Sequence, residues 1–372
     1  AEDEFSLGRL LVAARDRERG EASLRAALDA VAGMAKSEKS LGLAARIRTS
    51  LVSLCVARED LESAVLHARA AVDAREELLK TAPKSAASRR SLALEQGNLA
   101  SILGNLGRVE EAASLYRSCL ASLESLANEN PSAPEFRHAA ATFGLNFARF
   151  LGARGRQKEE FERTERSVEI LARLRADFPA AIDYAIDLGG ARSNQSQTFR
   201  RRGDPGRALE SLNAAVSDLD AALKIQPDHA RARRYLKTAC VARALAHESR
   251  ADHKAARADW LRAVELARPD AAPDFRSAAA LALARSGDPE AALREVADLA
   301  GSPEPAPLAC RDLAALLVLA AEKSPPAAQN ERLDRAAAFV RRLLKAGVTR
   351  EQFLQHPELA PLLKQIDRKT DL

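Results

Sequence analysis

Asn98-Leu99-Ala100-Ser101-Ile102-Leu103-Gly104-Asn105-Leu106-Gly107-Arg108-Val109-Glu110-Glu111-Ala112-Ala113-Ser114-Leu115-Tyr116-Arg117-Ser118-Cys119-Leu120 is the stretch whose reading decides the fold. Gly107 ends one helix, because glycine accepts a positive φ without steric penalty. The small residues Ala112 and Cys119 follow it, where a second helix must come close to the first. The same marks recur at a fixed interval on either side. Prolines stand at Pro83, Pro131, Pro179 and Pro227, each 48 residues from the next. Gly107, Gly155 and Gly203 lie 24 residues before the last three, and Glu59 and Ala251 hold that phase in the flanking units. Twelve residues after each turn come Ala71, Cys119, Ser167, Ala215 and Ala263, all small; the next positions, Val72, Leu120, Val168, Val216 and Val264, are all apolar. Five after the turn come Ala64, Ala112, Ala208 and Ala256, with Glu160 as the exception. Proline ends the second helix because it cannot extend the hydrogen-bond ladder. Each unit therefore reads as two antiparallel helices joined by a short turn.

Composition agrees with an all-α chain. Ala, Leu, Arg and Glu, all good helix formers, dominate its 372 residues. The net charge of +5 is a small margin on a surface with 29% charged residues, so nucleic acid is an unfavoured partner. Cys55, Cys119, Cys240 and Cys310 lie singly in apolar helical stretches and read as buried free thiols, with neither a disulfide framework nor zinc spacing. No apolar run reaches the roughly 18 residues that a membrane span requires, so no span is expected. The chain starts at Ala1, as a processed protein or a segment of a longer one would.

The pattern Asn98-Leu99-Ala100, Gly107, Ala112, Tyr116, Cys119 and late proline resembles the tetratricopeptide repeat family, and Asn194, Gly203, Ala208, Leu212 and Ala215 repeat it. A standard repeat has about 34 residues. The longer unit here accommodates one extra heptad in each helix. The resemblance implies a right-handed α-solenoid of antiparallel hairpins. Residues 1–35 are expected to form an N-terminal capping hairpin turning at Gly20, and 36–269 five extended repeats. Residues 270–303 would form a repeat of standard length, and 304–372 a C-terminal hairpin and cap.

A narrower resemblance is to the C-terminal arrays of bacterial Hanks-type Ser/Thr protein kinases. It is carried by Pro134-Glu135-Phe136-Arg137, by Asp259-Trp260-Leu261-Arg262-Ala263-Val264-Glu265-Leu266, by Ala309-Cys310 and Ala346-Gly347-Val348, and by His356-Pro357-Glu358-Leu359-Ala360-Pro361-Leu362. The chain holds no glycine-rich phosphate loop, no His-Arg-Asp and no Asp-Phe-Gly, so it is not expected to be an enzyme by itself. A longer parent could be such a kinase.

Of the six histidines, His247 and His253 are six apart, the wrong spacing for one helix face; neither a metal nor a cofactor is expected. One constellation exceeds background. Asn98, Asn146 and Asn194 each precede their turn glycine by nine residues. In tetratricopeptide arrays the first helices line a concave groove, where such asparagines hold extended peptides. An amide both donates and accepts, so it can pair with peptide backbone of any sequence. The alternative is that the residue only helps packing. The polar neighbours are Ser101, Asn105, Arg149, Ser193, Gln197, Arg200 and Arg201. If the arginines face the groove, an acidic peptide or a C-terminal carboxylate is favoured; if not, Arg200 to Arg202 form a solvated helix end beside the C-terminal dipole. The expected function is a scaffold for a protein or peptide partner in bacterial signalling. Its location would be cytoplasmic, or extracytoplasmic if tethered to a membrane kinase. The alternatives are the regulatory region of a Ser/Thr kinase and, from an isoelectric point near 9.1 alone, a nucleic-acid-linked regulator.

Overall fold

A computed structural model describes residues 1–301, 306–353 and 356–370. It is all-helical among these residues and comprises two compact units, Ala1–Asp187 and Leu188–Leu372.

Unit 1 stacks four hairpins. They are α1 (Glu2–Ala13) with α2 (Arg17–Ala32), α3 (Glu38–Ala57) with α4 (Leu61–Thr81), α5 (Ala86–Asn105) with α6 (Val109–Glu129), and α7 (Pro134–Gly152) with α8 (Gln157–Asp177). Helix α9 (Ile182–Arg201) spans the division between the units. Unit 2 continues with α10 (Pro205–Ile225), then the hairpin of α11 (Ala230–Glu248) and α12 (His253–Leu266). There follow α13 (Ala272–Arg285), α14 (Pro289–Glu295), α15 (Ala297–Gly301), and the hairpin of α16 (Pro307–Glu322) and α17 (Pro326–Lys345). Two 3₁₀ turns, Arg350–Phe353 and Pro357–Leu359, lead to α18 (Ala360–Thr370).

The turn chemistry follows the 48-residue phase. Glu59, Gly107, Gly155, Gly203 and Ala251 all have positive φ, between 56° and 77°. At each, the next residue's N–H reaches back to a first-helix carbonyl: Asp60 to Cys55, Arg108 to Leu103, Arg156 to Leu151, Asp204 to Phe199 and Asp252 to His247, all at 2.9–3.1 Å. These are Schellman closures. Asp60, Asp204 and Asp252 then cap the second helix by accepting a backbone N–H three residues on. At the far end Ala82, Asn130, Phe178 and Gln226 leave the helix with φ from −138° to −128°. Each precedes a proline, whose ring excludes the α conformation there.

The small positions are where packing is tightest. Ala71, Cys119, Ala215 and Ala263 have no accessible surface, and Ser167 is buried as well. Successive repeats of unit 1 also interlock through notches. A Cβ at Gly97 on α5 would stand 2.3 Å from the Phe143 ring of α7, and one at Gly104 would stand 2.8 Å from Phe150. Phe143 and Phe150 thus fill the space those glycines leave open. At the exceptional Glu160 the same device serves a carboxylate, which packs against Gly152.

Several expectations need correction. The first hairpin turns at Arg15, with φ of 66°, and Gly20 lies buried inside α2. A Cβ at Gly20 would meet Val12 at 2.7 Å, so its role is close helix contact. Helix α3 is long and apolar enough by length and composition to cross a membrane, contrary to the sequence reading. Its Leu43, Ile47, Leu51 and Leu54 are buried and it packs on both α2 and α4, as a core helix does. The short repeat has a second helix broken at Val296, between α14 and α15. The expected boundary at 303–304 lies outside the described residues. Of the thiols expected to be buried, Cys119, Cys240 and Cys310 are, but Cys55 is only half-buried; burial pushes Cys119 and Cys240 up to about 12.

Two stability predictions follow from these turns and crossings. Glu59→Gly and Ala251→Gly each relieve a Cβ clash in the left-handed region and should stabilise by about 1 kcal/mol. Urea unfolding measures this, and a loss of stability in both would mean that these turns are not strained. Ala215→Leu overpacks a crossing and should destabilise by roughly 1–3 kcal/mol; an unchanged denaturation midpoint would place residue 215 outside the crossing.

Candidate functional site

The side chains at i, i+3 and i+7 of a helix share one face. On α5 that face carries Asn98, Ser101 and Asn105; on α7 it carries Asn146 and Arg149, with Ala153 at the C-cap. Asn98, Asn105 and Arg149 are exposed, and Ser101 and Asn146 half-buried. Among the described residues the side chains of Asn98, Asn146 and Arg149 make no hydrogen bond within the chain.

Helices α5 and α7 touch directly. Between them lies a depression of about 380 Å³. Ser101, Asn105, Asn146 and Arg149 form its polar lining, and Tyr116, Phe150 and Arg154 line it too. Tyr116 is buried, stacks on Phe147 at 5.1 Å, and shares a 2.8 Å hydrogen bond with Ser101 Oγ. Burial pushes its phenol above the ordinary value. Arg154 donates to the carbonyls of Gly104 (2.7 Å) and Phe150 (3.0 Å), and its guanidinium lies 3.8 Å from the centroid of the Phe150 ring. Two expected contacts, Asn146 and Arg149, therefore meet in one depression. Asn98 lies on the same face of α5, outside that lining.

In unit 2, Asn194, Gln197 and Arg201 stand at i, i+3 and i+7 of α9; Asn194 and Gln197 are exposed, as is Arg201. Arg200 is exposed as well, but at about 100° per residue it points roughly 120° away from Asn194. The arginine run thus divides between two faces. Tyr116, Phe150 and Arg154 were not expected as lining residues. Position 154 nevertheless carries a periodic signal: its phase holds Arg58, Arg154, Arg202 and Arg250, with Leu106 as the exception.

A second polar group, this one invisible to spacing, ties the closing segment to α13 and α16. Arg285 of α13 binds Glu358 at 2.7 Å and reaches Glu248 at 3.5 Å and His356 Nδ1 at 3.3 Å. His356 Nε2 stands 3.8 Å from Asp312 Oδ1, and Ser277 donates to Asp312 at 3.1 Å. Burial raises the Asp312 carboxyl from 3.8 to about 6. Burial, aided by Arg311 and Arg285, lowers the His356 imidazole from 6.5 to about 4.

Residues 96–122 match the model of the family described as tetratricopeptide repeat. No curated protein matches the chain. Two solved structures are similar over most of it. The apo form of RapI has a TM-score of 0.56 at 12% identity, over 100% of this chain and 98% of that one. A signal transduction ATPase with numerous domains and a tetratricopeptide repeat sensor, from Pyrococcus horikoshii, has a TM-score of 0.58 at 12% identity, over 92% of this chain and 46% of that one. These likenesses show the fold, an α-solenoid of the tetratricopeptide type.

The buried pair generates a pH prediction. Between pH 4 and 6.5 the unfolded His356 binds a proton that the folded one does not, so its contribution to stability rises with pH. Asp312 has the opposite sign: the folded carboxyl holds its proton up to about 6, so its contribution falls as pH rises from 3.8 to about 6. The two offset each other in the parent. Relative to the parent, His356→Gln should lose about 1–3 kcal/mol on going from pH 4 to 6.5. Urea midpoints at both pH values measure this, and a constant difference would contradict the assignment.

Proposed function

We propose that the chain is a protein-interaction scaffold in bacterial signalling, which holds an extended peptide against the exposed face of its first helices. The observation that carries this reading is the depression where Asn146 and Arg149 meet Ser101 and Asn105, with Asn98 on the same α5 face. Amides that served packing would be paired inside the protein. Those of Asn98 and Asn146 have no hydrogen-bond partner among the described residues and are open to a ligand. Packed helices lie about 8–10 Å apart. An extended chain rises about 3.3 Å per residue, so it would meet one such amide every three residues or so. Arg149 favours carboxylates on the peptide; in unit 2, α9 carries the like-phased Asn194, Gln197 and Arg201 on a face of its own, with Arg200 turned away from it.

A second reading makes the array the sensor or regulatory part of a larger signalling protein, such as a Ser/Thr kinase. The fold shared with the Pyrococcus ATPase that carries a tetratricopeptide sensor supports it, as do the kinase-like stretches of the sequence.

The test uses a fluorescent peptide selected from an immobilised library of acidic decapeptides. Each lost backbone hydrogen bond should cost about 0.5–1.5 kcal/mol. Asn98→Ala with Asn146→Ala should therefore weaken binding roughly tenfold by anisotropy, with circular dichroism confirming the fold. Arg149→Gln should act mainly at low salt, where screening is weak. If the double variant binds as tightly as the parent, the peptide lies on another surface.

A further inference from the structure

Unit 2 contains a cavity of about 280 Å³ bounded by α11, α12, α13, α16 and His356. One wall is aromatic: the rings of Trp260 and Phe275 stack at 6.2 Å, only 20° from parallel. Leu245 and Leu308, each about half exposed, form an apolar rim. The lining is also charged. It contains Asp274, Arg311 and Asp312, with Asp312 only 5% exposed. Asp274 Oδ1 is buried and accepts no hydrogen bond. Arg311 Nε is buried and makes no hydrogen bond, though it forms an ion pair with Asp312 Oδ1 at 3.6 Å.

Two features point to a ligand. A buried carboxylate oxygen without a donor is costly, typically by 1–3 kcal/mol or more, so a native fold seldom leaves one unless something else satisfies it. The charges also do not balance. The carboxylates of Glu248, Asp274, Asp312 and Glu358 outnumber the guanidinium groups of Arg285 and Arg311 and the Lys237 ammonium, which stands 5.8 Å from the Phe275 centroid, and the imidazole is neutral at pH 7. The excess is negative, and low-dielectric walls strengthen its pull on a cation. Glu248 is engaged already, since it accepts from Trp260 Nε1 at 2.8 Å and pairs with Arg285. That leaves Asp274 Oδ1 as the acceptor in want of a donor, the same carboxylate already taking a hydrogen bond from the Ala309 backbone N–H.

We propose that this cavity binds a small aromatic amine, whose ammonium donates to Asp274 and Asp312 and whose ring lies against Trp260 and Phe275. Its volume is near the lower end of small-molecule sites, about 300–1,000 Å³, and suits a body of one or two rings. The paired aromatic faces select a flat apolar body over a bare alkyl chain. The site lies on other helices than the proposed peptide face of unit 1 and does not depend on that reading.

Trp260 is the only tryptophan in the chain, so its emission reports on the cavity directly. Phenethylamine and 3-phenylpropionate, which carry the same ring with opposite charge, are titrated separately into the full chain. Phenethylamine should shift the Trp260 emission saturably, and 3-phenylpropionate should not over the same range. Asp274→Asn should weaken phenethylamine about tenfold or more, as loss of a charge-assisted hydrogen bond does. Leu308→Lys changes an exposed rim position, puts a like charge at the mouth, and should weaken the amine several-fold. It decides the matter if Asp274→Asn does not fold. The proposal is overturned by an unsaturable response to phenethylamine, by equal binding of the carboxylate, or by unaltered affinity in Leu308→Lys.

Discussion

The hydrogen bond from Arg108 N–H to the Leu103 carbonyl forms only if the intervening chain turns through a left-handed residue, here Gly107. That closure recurs at Glu59, Gly155, Gly203 and Ala251, and the other regularities hang from it. It fixes where the second helix begins, and the proline 24 residues on fixes where it ends. Helices α4, α6, α8 and α10 are accordingly all 21 residues long. With both ends set, the small residue twelve past the turn always arrives near the middle of the helix, where its hairpin partner crosses.

The lengthened repeat keeps the same faces because of helical arithmetic. Seven residues advance a helix by about two turns, short by roughly 20°. Adding a heptad therefore moves an apolar stripe along the axis without rotating it far. The polar face of α5 and α7 survives by the same arithmetic, which is why Asn98 and Asn146 keep a common bearing.

What the sequence made legible was whatever repeats. Turns, prolines, crossings and the asparagine phase are local requirements, and each recurs in every unit that meets it. Features arising once, from packing between distant segments, left no such trace. Gly20 looked like a turn because glycine permits either role; only the approach of Val12 shows that it is a contact point. Arg200 and Arg201 are adjacent in sequence, yet one residue of helix rotation separates their faces. The cluster of Arg285, Asp312, His356 and Glu358 joins residues more than 70 apart, and no spacing rule reaches that far.

The glycine notches of unit 1 bear on how such a chain can change over time. Gly97 and Gly104 are shaped to Phe143 and Phe150 of the following repeat; of the equivalent positions only Gly152 is again a glycine, and it faces Glu160 of its own hairpin in place of a phenylalanine. Neighbouring hairpins are therefore matched partners and not interchangeable modules. Excising or duplicating one unit would set a phenylalanine against a side chain where it now finds a gap, even though the 48-residue phase would stay intact. Arrays of uniform repeats can lengthen or shorten by recombination. In this one, the length is held by the fit between particular neighbours.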